Sequence, residues 1–248
     1  MSTSLQTIGI VLAREFRGYF ATPLAAIFLA VFAALSAGLA FFVTGFFDRG
    51  QADLSSFFAW HPWLFMILMP AIGMRLWAEE RRSGTIELLM TLPVRTWELV
   101  TAKFLAGWAF TGVALLATTP MWFTVNYLGD PDNGVIAASY IGSWLMAGAF
   151  LALATCMSAL TKNQVIAFIV ATIAGFLLVM AGFDLVLATV RDWAPVGLTE
   201  MVQSLSFLSH FNRLTQGVIE LPTAVFFISM IVLCLWINVQ AVDLKKAQ

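Results

Sequence analysis

Six stretches of largely apolar residues dominate this chain, each about long enough to cross the ~30 Å hydrocarbon core of a bilayer as a helix. They run over Pro23–Phe47, Phe57–Trp77, Phe104–Leu128, Val135–Leu160, Val165–Leu187 and Leu221–Val242. Charged residues make up only 11% of the chain, where a soluble domain carries about 25%. The sequence therefore predicts an all-α integral membrane protein, with six transmembrane helices in a single domain over residues 1–248. Gly and Pro do not demote these runs, because transmembrane helices tolerate both. Pro120 predicts a kink in the third run, and Pro222 marks a helix start in the sixth. Gly38-Leu39-Ala40 resembles a signal-peptide cleavage site, but the apolar run continues past it, which predicts a retained span.

Orientation follows from the basic residues. With six spans both termini share one side, and that side carries Arg14, Arg17, Arg75, Arg81, Arg82, Arg95, Lys103, Lys162, Lys245 and Lys246. The other side carries only Arg49, Arg191 and Arg213. Cytoplasmic loops are the ones enriched in Lys and Arg, so both termini are expected in the cytoplasm. Trp60, Trp63, Trp77, Trp97 and Trp193 fall near the expected span ends, where interfacial aromatic belts sit.

Two flanking segments carry their own patterns. Leu5, Ile8, Leu12, Phe16 and Phe20 share one helical stripe beside Arg14, Glu15 and Arg17, which predicts an N-terminal helix lying in the interface. The external segment 188–220 includes Val202, Leu205, Phe207, Leu208 and Phe211, too apolar for a free aqueous loop. At least two short helices are expected between Trp193 and Gly217, since backbone near lipid must satisfy its own polar groups.

Residues 79–94 stand out between the second and third runs. Glu79-Glu80-Arg81-Arg82 precedes Ser83 and Gly84, either of which can cap a helix start, with Thr85 following and Glu87 in the first turn, where the helix dipole favours a negative charge. Ile86, Leu89 and Met90 fall at i, i+3 and i+4 and form one apolar face. Pro93 ends the segment. A short amphipathic helix at a membrane surface is suited to docking on a partner. A merely solvated patch of mixed sign is the lesser reading of the charges ahead of it, because the capped amphipathic turn follows them directly.

The chemistry available is narrow. No Gly-x-x-x-x-Gly-Lys-Ser/Thr loop is present, so nucleotide binding by this chain is not expected. Cys156 and Cys234 lie inside apolar runs and read as small buried hydrophobes, and two His do not make a His-rich metal site. An intramembrane serine protease would need a base beside Ser143 of the fourth run. His61, in Trp60-His61-Pro62-Trp63, reads as part of an aromatic belt, and His210 is external, so that pairing is expected to fail. Only Asp184 places an ionisable group inside a run, one turn from its outer end, which fits an interfacial carboxylate. Ala33, Ala37, Gly142, Ala147 and Gly148 could permit close helix contacts.

The stretch Glu79-Glu80-Arg81-Arg82-Ser83-Gly84-Thr85-Ile86-Glu87-Leu88-Leu89, then Leu92-Pro93-Val94 and Trp97-Glu98 leading to Lys103-Phe104, resembles the cytoplasmic segment of ABC-2 type permease subunits. The bacterial six-span group with gliding-motility and nitrous-oxide-reductase-maturation permeases is the nearest in pattern. The resemblance implies a bacterial inner-membrane transport subunit, most simply an exporter, whose segment 84–92 is a coupling helix docking in a separate ATPase. It implies a coupling interface over Glu79, Glu80, Arg81, Arg82, Gly84, Thr85, Ile86, Glu87, Leu89 and Met90. ATP and Mg would then be bound by the ATPase, with no cofactor in this chain. Implied partners are two ATPase subunits, a second permease copy or a related chain, membrane lipids and an external accessory protein, and no nucleic acid. The alternatives are an ATPase-driven membrane scaffold acting mechanically on an external protein, and an intramembrane enzyme.

Overall fold

The computed structural model describes residues 4–85, 94–191, 195–217 and 221–244. Among these residues the chain is helical throughout, without strands. Helix α1 (Ser4–Phe20) leads to α2 (Pro23–Gly38), which continues as a π-helical turn over Leu39–Val43. Next come α3 (Ser55–Phe58), α4 (His61–Gly73) and α5 (Arg75–Ser83). Helices α6 (Thr96–Leu116) and α7 (Thr119–Leu128) precede α8 (Asn133–Leu160). Then follow α9 (Gln164–Met180), α10 (Asp184–Arg191), α11 (Val196–Ser204), α12 (Phe207–Leu214) and α13 (Leu221–Leu244).

Among the described residues, five helical stretches are long and apolar enough to cross a membrane: Ala25–Val43, Ser55–Ser83, Thr96–Leu128, Asn133–Leu160 and Leu221–Leu244. The fifth apolar run is shorter than its sequence suggests, because α9 stops at Met180 rather than Leu187. Gly182 follows the stop, and the 196–214 segment presses so close that a side chain there would collide with Ser206 and Ser209. The kink expected at Pro120 falls at Ala117–Thr118, where the backbone tightens and the Thr118 hydroxyl donates to the Leu115 carbonyl at 2.6 Å. The two short helices expected between 193 and 217 are α11 and α12, while Trp193 itself lies outside the described residues.

Helix α8 is the hub, packing against α13, α4, α9 and α6. Its sequence explains this, since Gly142, Ala147, Gly148, Ala149, Ala152 and Ala154 let neighbours approach closely. A Cβ at Gly148 would lie 2.7 Å from the Trp108 indole nitrogen, and one at Gly142 would lie 2.9 Å from a Leu214 methyl carbon. Trp108 and Trp144 stack at 4.3 Å between ring centroids and exchange bonds. Each indole N–H donates to the other residue's carbonyl, at 2.8 and 3.1 Å. Cys156 and Cys234 are free and buried, as expected of small hydrophobes. The outer surface remains apolar, with Phe42, Phe123, Tyr127 and Ile173 exposed, which is the solvation expected of a chain that lipid surrounds.

Two sequence expectations are corrected inside this bundle. His61 is not a belt residue: it is fully buried, ringed by Phe32, Phe57, Phe58 and Phe65, and its Nδ1 shares a 2.8 Å hydrogen bond with Ser143. The Ser–His pairing that the sequence argued against therefore exists, because α4 starts deep against α8 instead of at a wet surface. Trp77 is also no belt residue, being 1% exposed in a second core of Leu76, Leu99, Val100, Ala159, Ala241 and Val242.

Candidate functional site

The charged segment before residue 84 is helical, and it belongs to the end of the second apolar run. Helix α5 carries Glu79, Glu80, Arg81 and Arg82 in its last turns. Gly84 adopts φ +74°, the left-handed geometry that ends helices and that glycine takes without a Cβ penalty. The Ser83 hydroxyl donates back to the Glu79 carbonyl at 2.9 Å and lies 2.9 Å from the Thr85 hydroxyl. Ser83 and Gly84 thus close α5, while the helix they are expected to open runs into residues outside those described. Ile86, Glu87, Leu89 and Met90 lie outside the described residues.

Glu80 is not a solvated surface charge. Lys103 Nζ lies 2.6 Å from Glu80 Oε1 and 3.4 Å from Glu15 Oε1, with the Lys103 side chain 2% exposed. The ammonium also stands 5.5 Å from the Trp77 ring centroid, within cation–π range. The sequence put Lys103 at the edge of the third run, but α6 begins at Thr96, so Lys103 sits two turns inside a helix. Asp184, by contrast, is exposed at the start of α10 and not a buried group. Arg14 donates to Glu15 at 2.7 Å and Arg75 to Glu79 at 2.9 Å, so the charges join α1, α5 and α6.

Glu15 shows how balanced the cluster is. Burial alone would raise its carboxyl pKa, but the Lys103 charge and the bonds from Arg14 and Lys103 outweigh it and hold the group below its ordinary value. Tyr19, one turn on, has its phenol pushed up by burial and then by the Glu15 charge. Among the described residues there is no cluster of ligands that could hold a metal ion.

The backbone around the cluster is braced. At the break between α4 and α5, the Trp77 and Ala78 N–H groups donate to Ser158 Oγ of α8, at 3.2 and 3.0 Å. That hydroxyl donates to the Met74 carbonyl at 2.8 Å. On the far side of the segment, the Glu98 carboxylate accepts from the Arg95 N–H at 3.0 Å and fixes the start of α6. The Thr96 hydroxyl donates to Asp243 near the end of α13 at 2.6 Å. Both ends of the stretch between Ser83 and Thr96 are therefore clamped to the bundle, by Glu80–Lys103, by Trp77 with Leu99 and Val100, and by Thr96–Asp243.

The site's position and the fold together define a multi-pass helical membrane protein with a charged, braced corner at one end of its bundle. The sequence profile of the ABC-2 family transporter proteins matches residues 62–242, which is most of the chain and takes in this corner. The chain belongs to that family, and is a membrane permease of an ABC transporter. No curated protein matches it.

Proposed function

We propose that this permease is driven by a separate ABC ATPase that docks on segment 84–92, and that it moves its substrate outward from the cytoplasm. The observation that carries this reading is the double clamp. The stretch between Ser83 and Thr96 is held at one end by Glu80 on Lys103 and at the other by Thr96 on Asp243, so a push on it reaches α5, α6 and α13 at once. A loose connecting loop would absorb the same push. Proteins of this family work with ABC ATPase partners, and ATP and Mg would be held there, while this chain supplies the docking residues. The docking face is Ile86, Leu89 and Met90, flanked by Glu79, Arg81, Arg82, Gly84, Thr85 and Glu87, with Glu80 as the inward anchor. Six spans with both termini in the cytoplasm, a second permease copy and a bacterial inner-membrane location complete the reading.

Leu89→Asp tests it. A carboxylate at the centre of an apolar docking face costs a few kcal/mol, and about 1.4 kcal/mol is already tenfold in affinity. The variant is expected to insert normally, yet lose co-purification with the ATPase or the coupling of hydrolysis to transport. A charge introduced at Asn133, far along the chain at the start of α8, serves as the control. Full assembly and full activity of Leu89→Asp would overturn the assignment.

A further inference from the structure

Two cavities meet beside the charged corner. The first, of about 260 Å³, sets the charged side chains of Glu15, Arg75, Glu79, Glu80 and Lys103 around a partly apolar wall that includes Ile72 and Leu76. The second, of about 240 Å³, is apolar, running along α2 and α4 past Phe28, Val31, Leu68 and Ala71. Tyr19, Ile72 and Arg75 line both, so the two lie side by side, one with charged residues in its wall and the other with an almost wholly hydrocarbon lining. The apolar part opens beside Ile27 and Val31, both exposed on the lipid-facing side of α2.

The polar end has unused capacity of one kind. Its cations are already paired, Arg75 with Glu79 and Lys103 with Glu80 and Glu15. Two buried oxygens of its lining residues have no hydrogen-bond partner, Glu80 Oε2 and the Tyr19 hydroxyl. A buried carboxylate oxygen without a donor is costly, and an ammonium is the group that relieves it with the strongest bonds. A phenol hydroxyl beside it can donate to a phosphate oxygen. The lining carboxylates Glu15, Glu79 and Glu80 outnumber the lining cations Arg75 and Lys103, which disfavours a head carrying only negative charge.

We infer that these two adjoining cavities, walled by α1, α2, α4, α5 and α6, together bind one zwitterionic aminophospholipid, its ammonium on Glu80 Oε2, its phosphate near the Tyr19 hydroxyl, and an acyl chain in the apolar part. The site is separate from the docking face after Gly84, and it stands whether or not an ATPase docks there.

Native mass spectrometry of the full chain in a delipidating detergent tests the site. It is titrated with phosphatidylethanolamine, phosphatidylcholine and phosphatidylglycerol of identical acyl chains, and with free phosphoethanolamine. Phosphatidylethanolamine is expected to bind about tenfold more tightly than phosphatidylcholine, whose head presents no N–H. Tyr19→Phe keeps the ring stacked on Phe110, at 4.9 Å between centroids, and should weaken binding of both zwitterionic lipids. Glu80→Gln should abolish the preference between them, and Ala71→Leu should weaken every lipid by filling the apolar part. Equal binding of the two zwitterionic lipids to the unaltered chain would mean non-selective annular lipid and would overturn the proposal. So would tighter binding of phosphatidylglycerol, or phosphoethanolamine competing as well as the lipid. If Glu80→Gln misfolds, Tyr19→Phe and Ala71→Leu decide, and unchanged lipid binding in both would sink the site.

Discussion

Ser143 of α8 and His61 at the start of α4, 82 positions apart in sequence, share a 2.8 Å hydrogen bond in the middle of a phenylalanine cage. A serine beside an imidazole is half of a nucleophilic site, but both residues here are fully buried and the surrounding rings offer no third group to orient the base. The pair ties α4 to α8. Ser143→Ala should leave the His61 Nδ1 unpaired and lower stability by about 1–3 kcal/mol, read by thermal unfolding in detergent. Adding His61→Phe should cost less than the two single changes summed, because an all-apolar contact replaces a broken polar one. An activated-serine fluorophosphonate should not label Ser143 in the folded protein, and labelling would revive the enzyme alternative.

Lys103→Met should be more damaging than any change to the exposed Arg82. It leaves Glu80 and Glu15 facing each other without their shared cation, and breaking a buried pair from one side costs about 3–5 kcal/mol. The carboxylates here are 18% and 20% exposed, so water screens part of that, and a loss at the low end is expected. Pairing Lys103→Met with Glu80→Gln should recover part of the loss. Size-exclusion chromatography after a heat step, on the three variants side by side, gives the comparison.

The docking of α1 should weaken in acid. Glu15 titrates near 4.5 when unperturbed and lower in the fold, so its ion pairs stabilise fully above that value. The stabilisation is lost as pH falls through the lower folded value. As pH falls below 4.5 the native chain should lose more stability than Glu15→Gln, which has no proton to gain at this position. Parallel slopes for the two proteins would show that α1 is held by apolar contacts alone.

The proposed orientation makes a labelling prediction. With Cys156 and Cys234 replaced, single cysteines at Ser4 and Asn163 should be shielded from an impermeant thiol reagent outside intact cells, and ones at Gln51 and Asn133 should react. Labelling at Asn163, which caps the start of α9, would place that turn outside and remove one crossing.

What the sequence revealed was local. The stripe from Leu5 to Phe20 gave α1, Pro120 gave the kink, and the apolar residues of 202–211 gave the short helices before α13. The charged segment pointed to the family because its residues are contiguous. The site's inner half was hidden because its partners are distant in sequence. Lys103 meets Glu80 across 23 residues and Ser158 meets Met74 across 84, and neither separation leaves a periodic trace. Lys103 was also masked by its position at the border of an apolar run, where a lysine ordinarily snorkels to water instead of turning inward. The end of α9 was missed for a related reason: apolar residues continue through Leu187, and the close approach of Ser206 to Gly182 is a contact between distant parts of the chain.

An interrupted membrane helix is usually a place where a molecule bends, because freed backbone groups invite water and tolerate a range of angles. The interruption at Met74 is different. Ser158 occupies the two N–H groups of Trp77 and Ala78 and returns a bond to the Met74 carbonyl, and a Cβ at Gly73 would lie only 2.5 Å from that of Ala154, so the two helices lie flush. The elbow is braced, and α5 is keyed into α8 at this joint. Under the proposed docking, a push on the tip of α5 would therefore pass to α8 as a displacement of the joint's partner and not be absorbed as a bend.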